Sequence, residues 1–361
     1  MRILQIIDSL AAGGAERMAV HYANALTKKV AFSGIIATRQ EGPLLQELNE
    51  NVTYLFLNKK GSFDVKALFR LKAFVNQHKI TIIQAHSTSF FTAFLLKLVS
   101  PSLQLIWHDH YGDSEFLNKR PSRILKAVLP FFAGIISVNQ KLKGWANNQM
   151  HFSNALYLPN FTSEAKMPLK GGTILEGIEG KRIVCLANLR EQKNHFFLVE
   201  VAKRLKISQP NWSFHLVGKD NQDAYSNVLK TRILEMELEE SVFIYGSRSD
   251  IPSILSQSTI GILSSQSEGL PVTLLEYGLY KKPVVLTAVG EIPSVIQNGV
   301  NGFIVPAQEV EVFYNALLLL IENEKLRIEL GDSLYNTILE TYSEQAVITP
   351  YLNWVQTTIL K

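Results

Sequence analysis

The chain of 361 residues carries a single cysteine, Cys185, so no intramolecular disulfide can staple it and a reducing compartment suits it. No apolar run approaches the ~18 residues that span a bilayer, and the longest candidate, Val128 to Val138, is too short. The start MRILQIID reads as a strand from its second residue and lacks the charged, apolar and small-residue regions of a secretion signal. A cytoplasmic location is expected. The dinucleotide fingerprint Gly-x-Gly-x-x-Gly is absent, which argues against a nicotinamide cofactor. No nucleic-acid-binding motif, internal repeat or low-complexity tract is evident.

What is present is a long alternation of short β-rich apolar runs with amphipathic helical stretches, in a chain that is 47% hydrophobic. That alternation predicts a parallel sheet covered by helices, and the length calls for two such cores. Strand candidates in the first half are Arg2–Asp8, Phe32–Thr38, Thr53–Asn58, Thr81–His86, Leu103–His108 and Gly134–Val138. A second series runs through Arg182–Leu189, Phe214–Val217, Val242–Tyr245, Ile260–Ser265, Pro283–Thr287 and Gly302–Val305. The expected organisation is a first domain over residues 1–163, a Gly- and Pro-containing linker over 164–180, a second domain over 181–345 and a final helix within 346–361.

Charge divides along the same boundary. Residues 1–163 hold 18 Lys and Arg against 9 Asp and Glu, and the remainder 18 against 23, within a net charge of +4. In FLNKRPSRILKAVLPFF the cations Lys119, Arg120, Arg123 and Lys126 interleave with Phe116, Ile124, Leu125 and Leu129. Such a segment, over 116–132, fits a helix lying on an anionic membrane, or equally an ordinary amphipathic surface helix.

Glu268 and Glu276 bracket a predicted helix start in SSQSEGLPVTLLEYGLYKKPVV. The strand ending at Ser265, a turn over Ser267–Gly269 and Pro271 as first helical residue would aim unpaired N–H groups from Leu270 to Thr273 at an anion. Carboxylates on either side of that anion can accept hydrogen bonds from hydroxyls. Sugar, diphosphate and ribose fit the order.

These residues resemble the nucleotide-sugar signature of the retaining glycosyltransferases of family 4, enzymes of the two-domain GT-B fold. Two further stretches fit, IIDSLAAGGAERMAV near the amino terminus and GEIPSVIQNGVNGFIVP after the glutamates. The resemblance implies an α/β fold of two Rossmann-like parallel-sheet domains facing a central cleft, with a closing helix that crosses back to the first domain. It implies transfer of a hexose-type sugar from a nucleoside diphosphate to a hydroxyl, with retention. Glu268 would orient the sugar hydroxyls and Glu276 the ribose, with Gly269, Leu270 and Pro271 at the phosphates. Gly13 and Gly14 would face the diphosphate, and Gly246 and Arg248 the base.

Departing diphosphate needs fixed positive charge, offered by Arg190 and Lys193 in LANLREQKNH at a strand's carboxyl end. The family's usual arginine, five residues before the lysine, is Asn188 here, and Arg190 stands as its substitute. On the first domain the resemblance puts a histidine near the reacting carbon, best matched by His108, with His110 its rival and His86 a third candidate. A histidine able to accept or donate a proton suits the acceptor hydroxyl. No metal is expected, since the histidines have no second ligand cluster and Asp-x-Asp, the metal handle of the other major glycosyltransferase fold, is absent. The basic first half suggests a polyprenyl-pyrophosphate-linked glycan as acceptor, met at the inner face of the plasma membrane during synthesis of a surface polysaccharide such as lipopolysaccharide or capsule. A nucleotide-sugar epimerase of the same fold and a non-catalytic nucleotide-sugar sensor are the competing readings.

Overall fold

A computed structural model describes residues 1–163 and 171–361. The chain divides into two compact units, Met1–Phe161 with Glu344–Lys361, and Thr162–Ser343. In the first unit β1 (Arg2–Ser9), β2 (Phe32–Gln40), β3 (Thr53–Phe56), β4 (Ile82–His86), β5 (Gln104–Asp109), β6 (Gly134–Ser137) and β7 (Ala155–Tyr157) form one parallel sheet. Its order is β3-β2-β1-β4-β5-β6-β7. The second unit orders β8 (Arg182–Leu186), β9 (Ser213–Val217), β10 (Val242–Gly246), β11 (Ile260–Leu263), β12 (Val284–Thr287) and β13 (Phe303–Val305) as β10-β9-β8-β11-β12-β13, again all parallel. Strands buried on both faces by helices explain the continuous apolar runs of the sequence. The twelve runs expected as strands are all strands. β7, which sequence reading missed, is three half-buried residues at a sheet edge.

Each sheet reverses its order beside its first strand, between β1 and β4 and between β8 and β11. Connections from such neighbours leave toward opposite faces, so a crevice opens beyond the carboxyl ends. In the second unit β8 and β11 pair only at Ile183–Ile260 and Val184–Gly261 and then part. The buried hydroxyl of Tyr277, on helix Val272–Leu279, fills the parting. It accepts from Leu186 N–H at 2.9 Å and is shared between the carbonyls of Val184 at 3.0 Å and Ile262 at 3.2 Å. Gly261 makes room, since a Cβ there would lie 2.7 Å from the Tyr277 ring.

In the first unit the helix Glu344–Trp354 packs on residues from the other end of the chain. Tyr351 meets Tyr22 edge-on at 5.1 Å, and Trp354 donates to Asn154 Oδ1 at 3.2 Å. Its indole lies so close to Gly134 that a Cβ there would come within 2.5 Å.

Two expectations change. Residues 116–132 do not make one amphipathic helix, because Pro121 and Pro130 break it into a 3₁₀ segment Ser114–Lys119, a short helix Arg123–Val128 and a 3₁₀ turn Leu129–Phe131. Arg120 is not on the surface. Its guanidinium makes paired bonds of 2.6 and 2.7 Å to the buried carboxylate of Asp109 and lies over the rings of Trp107, Tyr111 and Trp145. Of the segment expected as linker, residues 164–170 lie outside the described residues. Residues 171–180 belong to the second unit, where Leu175 is buried in the core and Thr173 bonds to Asp250.

Tyr277→Phe keeps the ring and strands three backbone groups at the parting, so it should lower the unfolding free energy by about 1–3 kcal/mol. Denaturant titration measures this, and wild-type stability would contradict the bridging role.

Candidate active site

Beyond the carboxyl ends of β8, β11 and β12, three loops hold one another. Gln266 N–H donates to the carbonyl of Gln192 at 2.8 Å, and the Gln192 amide returns a bond to the Ser267 carbonyl at 2.8 Å. Ser264 hydroxyl reaches the Lys193 carbonyl at 2.9 Å. Glu291 N–H donates to the Gly269 carbonyl at 2.9 Å, and Gly290, at φ 59°, passes so near that a Cβ would lie 2.3 Å from the Glu268 carbonyl. Only glycine fits there.

Within this frame the Lys193 ammonium sits 2.5 Å from Glu268 Oε1, which also accepts from Ser265 hydroxyl at 2.6 Å. Glu268 is buried and Lys193 partly so, which strengthens the pairing relative to water. Helix Val272–Leu279 begins three residues past Gly269. Pro271 caps it in extended conformation, φ −69° and ψ 122°, so the helix starts one position later than expected. The helix's first N–H groups have no intrahelical carbonyl, and their dipoles favour an anion. Glu276 follows, half-buried, one turn along.

The structure thus gathers Lys193, Glu268, Gly269, Leu270 and Pro271, with Glu276 on the same helix. Arg190 is exposed at the rim, just before the turn Glu191–Lys193. Asn188 supplies no charge: its Oδ1 accepts from Lys219 N–H at 2.8 Å and ties the β8 and β9 loops together. Gly246, at φ 68°, and the exposed Arg248 end the edge strand β10, two strands from β8. Sequence reading missed Ser265, Gln192, Gly290 and Tyr277. Ser265, Tyr277 and Gly290 stand in stretches that matched the family, so they were within reach; Gln192 acts through a bond to a distant loop that has no sequence pattern.

In the first unit Gly13, extended at φ −126° and ψ 162°, precedes helix Gly14–Leu26, and a Cβ at Gly14 would meet nothing within 4 Å. That leaves its backbone open to approach. His86, His108 and His110 come together at the ends of β4 and β5, their ligand nitrogens within 4.8 Å of one another. His86 and His108 are fully buried, and His110, just past β5, is partly exposed. Tyr22 packs edge-on against His108 at 5.3 Å, itself supported by Tyr351. Burial drives the His110 imidazole down to about 3. Burial, reinforced by His110 nearby, holds His86 and His108 well below the usual imidazole range. All three are neutral near pH 7. As neutral rings they can each both give and accept a hydrogen bond.

Unfolding exposes these imidazoles, which then take up protons below pH ~6.5. The folded chain binds none until about pH 3 at His110 and about 4 at His195 and His215, where burial is again the main cause. The unfolded state binds more protons through that window, so stability rises with pH and is lost on acidification. The melting temperature should fall steadily from pH 7 to pH 5, each buried histidine contributing up to about 2 kcal/mol at pH 5. A flat profile would contradict neutral burial.

Two family models match the chain: glycosyl transferases group 1 over residues 176–336 and Glycosyltransferase Family 4 over residues 12–161. An uncharacterized glycosyltransferase of Haemophilus influenzae is 24% identical over 336 residues, covering 91% of this chain and 92% of its own. The UDP-Gal:α-D-GlcNAc-diphosphoundecaprenol α-1,3-galactosyltransferase of Escherichia coli is 23% identical and covers 80% of each chain. Among solved structures, Anabaena HepE in complex with UDP and glucose aligns with a TM-score of 0.81 at 15% identity, over 99% of this chain and 100% of its own. With both halves matched in order and each folded as a parallel α/β unit around a switch point, the chain belongs to the group 1 glycosyltransferases and has their GT-B fold.

Proposed function

We propose that this glycosyltransferase moves a hexose from a uridine diphosphate donor, with retention, to a hydroxyl of a polyprenyl-diphosphate-linked glycan in the assembly of a bacterial surface polysaccharide. The observation that carries the reading is the Lys193–Glu268 pair, held at the start of helix Val272–Leu279. The sugar's C1–O bond breaks and the diphosphate departs with the bonding pair. Lys193, Arg190 and the helix's first N–H groups stabilise that charge without calling for a metal. Glu268 accepts from the sugar hydroxyls and Glu276 from the ribose. As the acceptor oxygen bonds to C1, its proton leaves the hydrogen bond to the imidazole that aimed it and passes to a departing diphosphate oxygen, a better base than imidazoles pushed so low. His110, the most accessible of the three, orients the acceptor hydroxyl, while His108 lies beneath it. No carboxylate is assigned as a covalent nucleophile. The uracil base and the lipid-linked acceptor draw support from HepE, solved with UDP, and from the E. coli relative named for UDP-Gal and a diphosphoundecaprenol acceptor.

UDP at about 100 times its dissociation constant should stabilise the protein by roughly 2.7 kcal/mol, with GDP and ADP giving less. Glu268→Ala should keep the fold and lower kcat at least about 100-fold. Wild-type turnover in that variant would sink the assignment. Donor turnover without acceptor would indicate an epimerase, and binding without turnover a sensor.

For the acceptor's membrane, no helix among the described residues is long and apolar enough to cross. A peripheral hold at the inner face fits better, on exposed Ile124 with Arg123 and Lys126 and on ring contacts running from Phe63 through Phe91 and Phe94 to Phe131. Reversing Arg123 and Lys126 to Glu should weaken binding to phosphatidylserine vesicles tenfold or more, at ~1 kcal/mol per charge lost. Undiminished vesicle binding would place the membrane surface elsewhere.

A further inference from the structure

The histidine cluster is one end of a longer polar array buried in the first unit's sheet. Gln5 on β1 and Gln84 on β4 are both fully buried and are direct register partners, so their side chains leave the sheet on the same face. Two residues on, His86 is the register partner of His108 on β5. The bonds form two arms. In one, Gln5 Oε1 lies 2.8 Å from His86 Nε2, and His86 Nδ1 lies 2.9 Å from His110 Nε2, the two rings only 16° from parallel. In the other, Gln84 Nε2 lies 3.0 Å from His108 Nδ1.

An amide oxygen can only accept and an amide nitrogen can only donate, which fixes every proton in both arms. His86 must carry its proton on Nε2, so its Nδ1 accepts and His110 must carry its proton on Nε2. The remaining nitrogen of His110, Nδ1, is then a lone-pair acceptor. In the second arm His108 accepts at Nδ1 and carries its proton on Nε2. The two amides also complement each other. The buried polar atoms they leave over are Gln5 Nε2, a donor, and Gln84 Oε1, an acceptor, on neighbouring strands.

We propose that Gln5 and Gln84 are positioning residues that lock the tautomers of the histidine cluster, each through its own arm, with the Gln5 arm presenting His110 Nδ1 to the acceptor hydroxyl as an acceptor. The link to the acceptor rests on the transferase reading above; the tautomer lock does not. Because the imidazoles stay neutral, the choice of tautomer decides whether His110 receives a hydrogen bond or gives one at that nitrogen. An O–H aimed by this acceptor points its oxygen lone pairs away from the ring.

Nitrogen-15 imidazole spectra of the ligand-free, full-length protein at pH 7.5 test the lock directly. The expected result is a single state with Nε2 protonated in His86, His108 and His110 and a bare Nδ1 in His110. Protonated Nδ1 in His110, or averaging between tautomers in the wild type, would overturn it. Gln5→Met keeps the length of the side chain and removes both amide atoms. It should put His110 into mixed tautomers and lower kcat about tenfold, with donor KM and UDP-induced stabilisation unchanged. Gln84→Met, a second variant in case the first folds poorly, should release His108 to mixed tautomers. A variant that keeps the single wild-type state would refute the lock. Mixed tautomers with full kcat would refute its link to transfer, and loss of UDP binding in the wild type would instead remove the function on which that link rests.

Discussion

Parallel strands that part at a switch point leave backbone groups without partners inside a protein core, and the rest of this molecule depends on how those groups are satisfied. In the second unit one hydroxyl does it. Tyr277 bridges β8 and β11 where their ladder ends, and because it stands on the helix that follows the Glu268 turn, the same contact sets where that helix begins. The anion-favouring end of the helix and the Lys193–Glu268 pair therefore take their positions from a residue that touches neither. In the first unit the ladder between β1 and β4 runs further, and the face above it is filled by the glutamine and histidine side chains.

The two units consequently offer different chemistry at equivalent places in the sheet. The second presents fixed charge, the Lys193–Glu268 ion pair beside a helix start whose dipole favours an anion. The first presents imidazoles that burial keeps uncharged near neutral pH and that join in directional hydrogen bonds.

Arg120 shows how a basic amphipathic pattern misleads. By sequence it belongs with Lys119, Arg123 and Lys126, but two prolines break the helix and the guanidinium turns inward to Asp109 and three aromatic rings. The outward cations that remain, Arg123 and Lys126, are fewer, and the exposed aromatic surface beside them comes from Phe63 and Phe131, which lie far apart in sequence.

The sequence by itself determined the two parallel sheets, because strands buried on both faces must be continuous apolar runs and the helices between them must be amphipathic. It also made the turn and helix start from Ser267 to Glu276 legible, a short contiguous motif, while the bonds that bring Lys193 beside Glu268 join loops distant in sequence. Tertiary structure alone decided the rest. His86, His108 and His110 meet Gln5 and Gln84 only through strand register across β1, β4 and β5, which leaves His86 and His108 buried and His110 partly exposed. Asn188 reads as a missing cation and is in fact a tie to Lys219, since a loop's hydrogen bonds depend on which other loop arrives beside it. Register, burial and the meeting of distant loops are properties of the packed chain, and no local pattern encodes them.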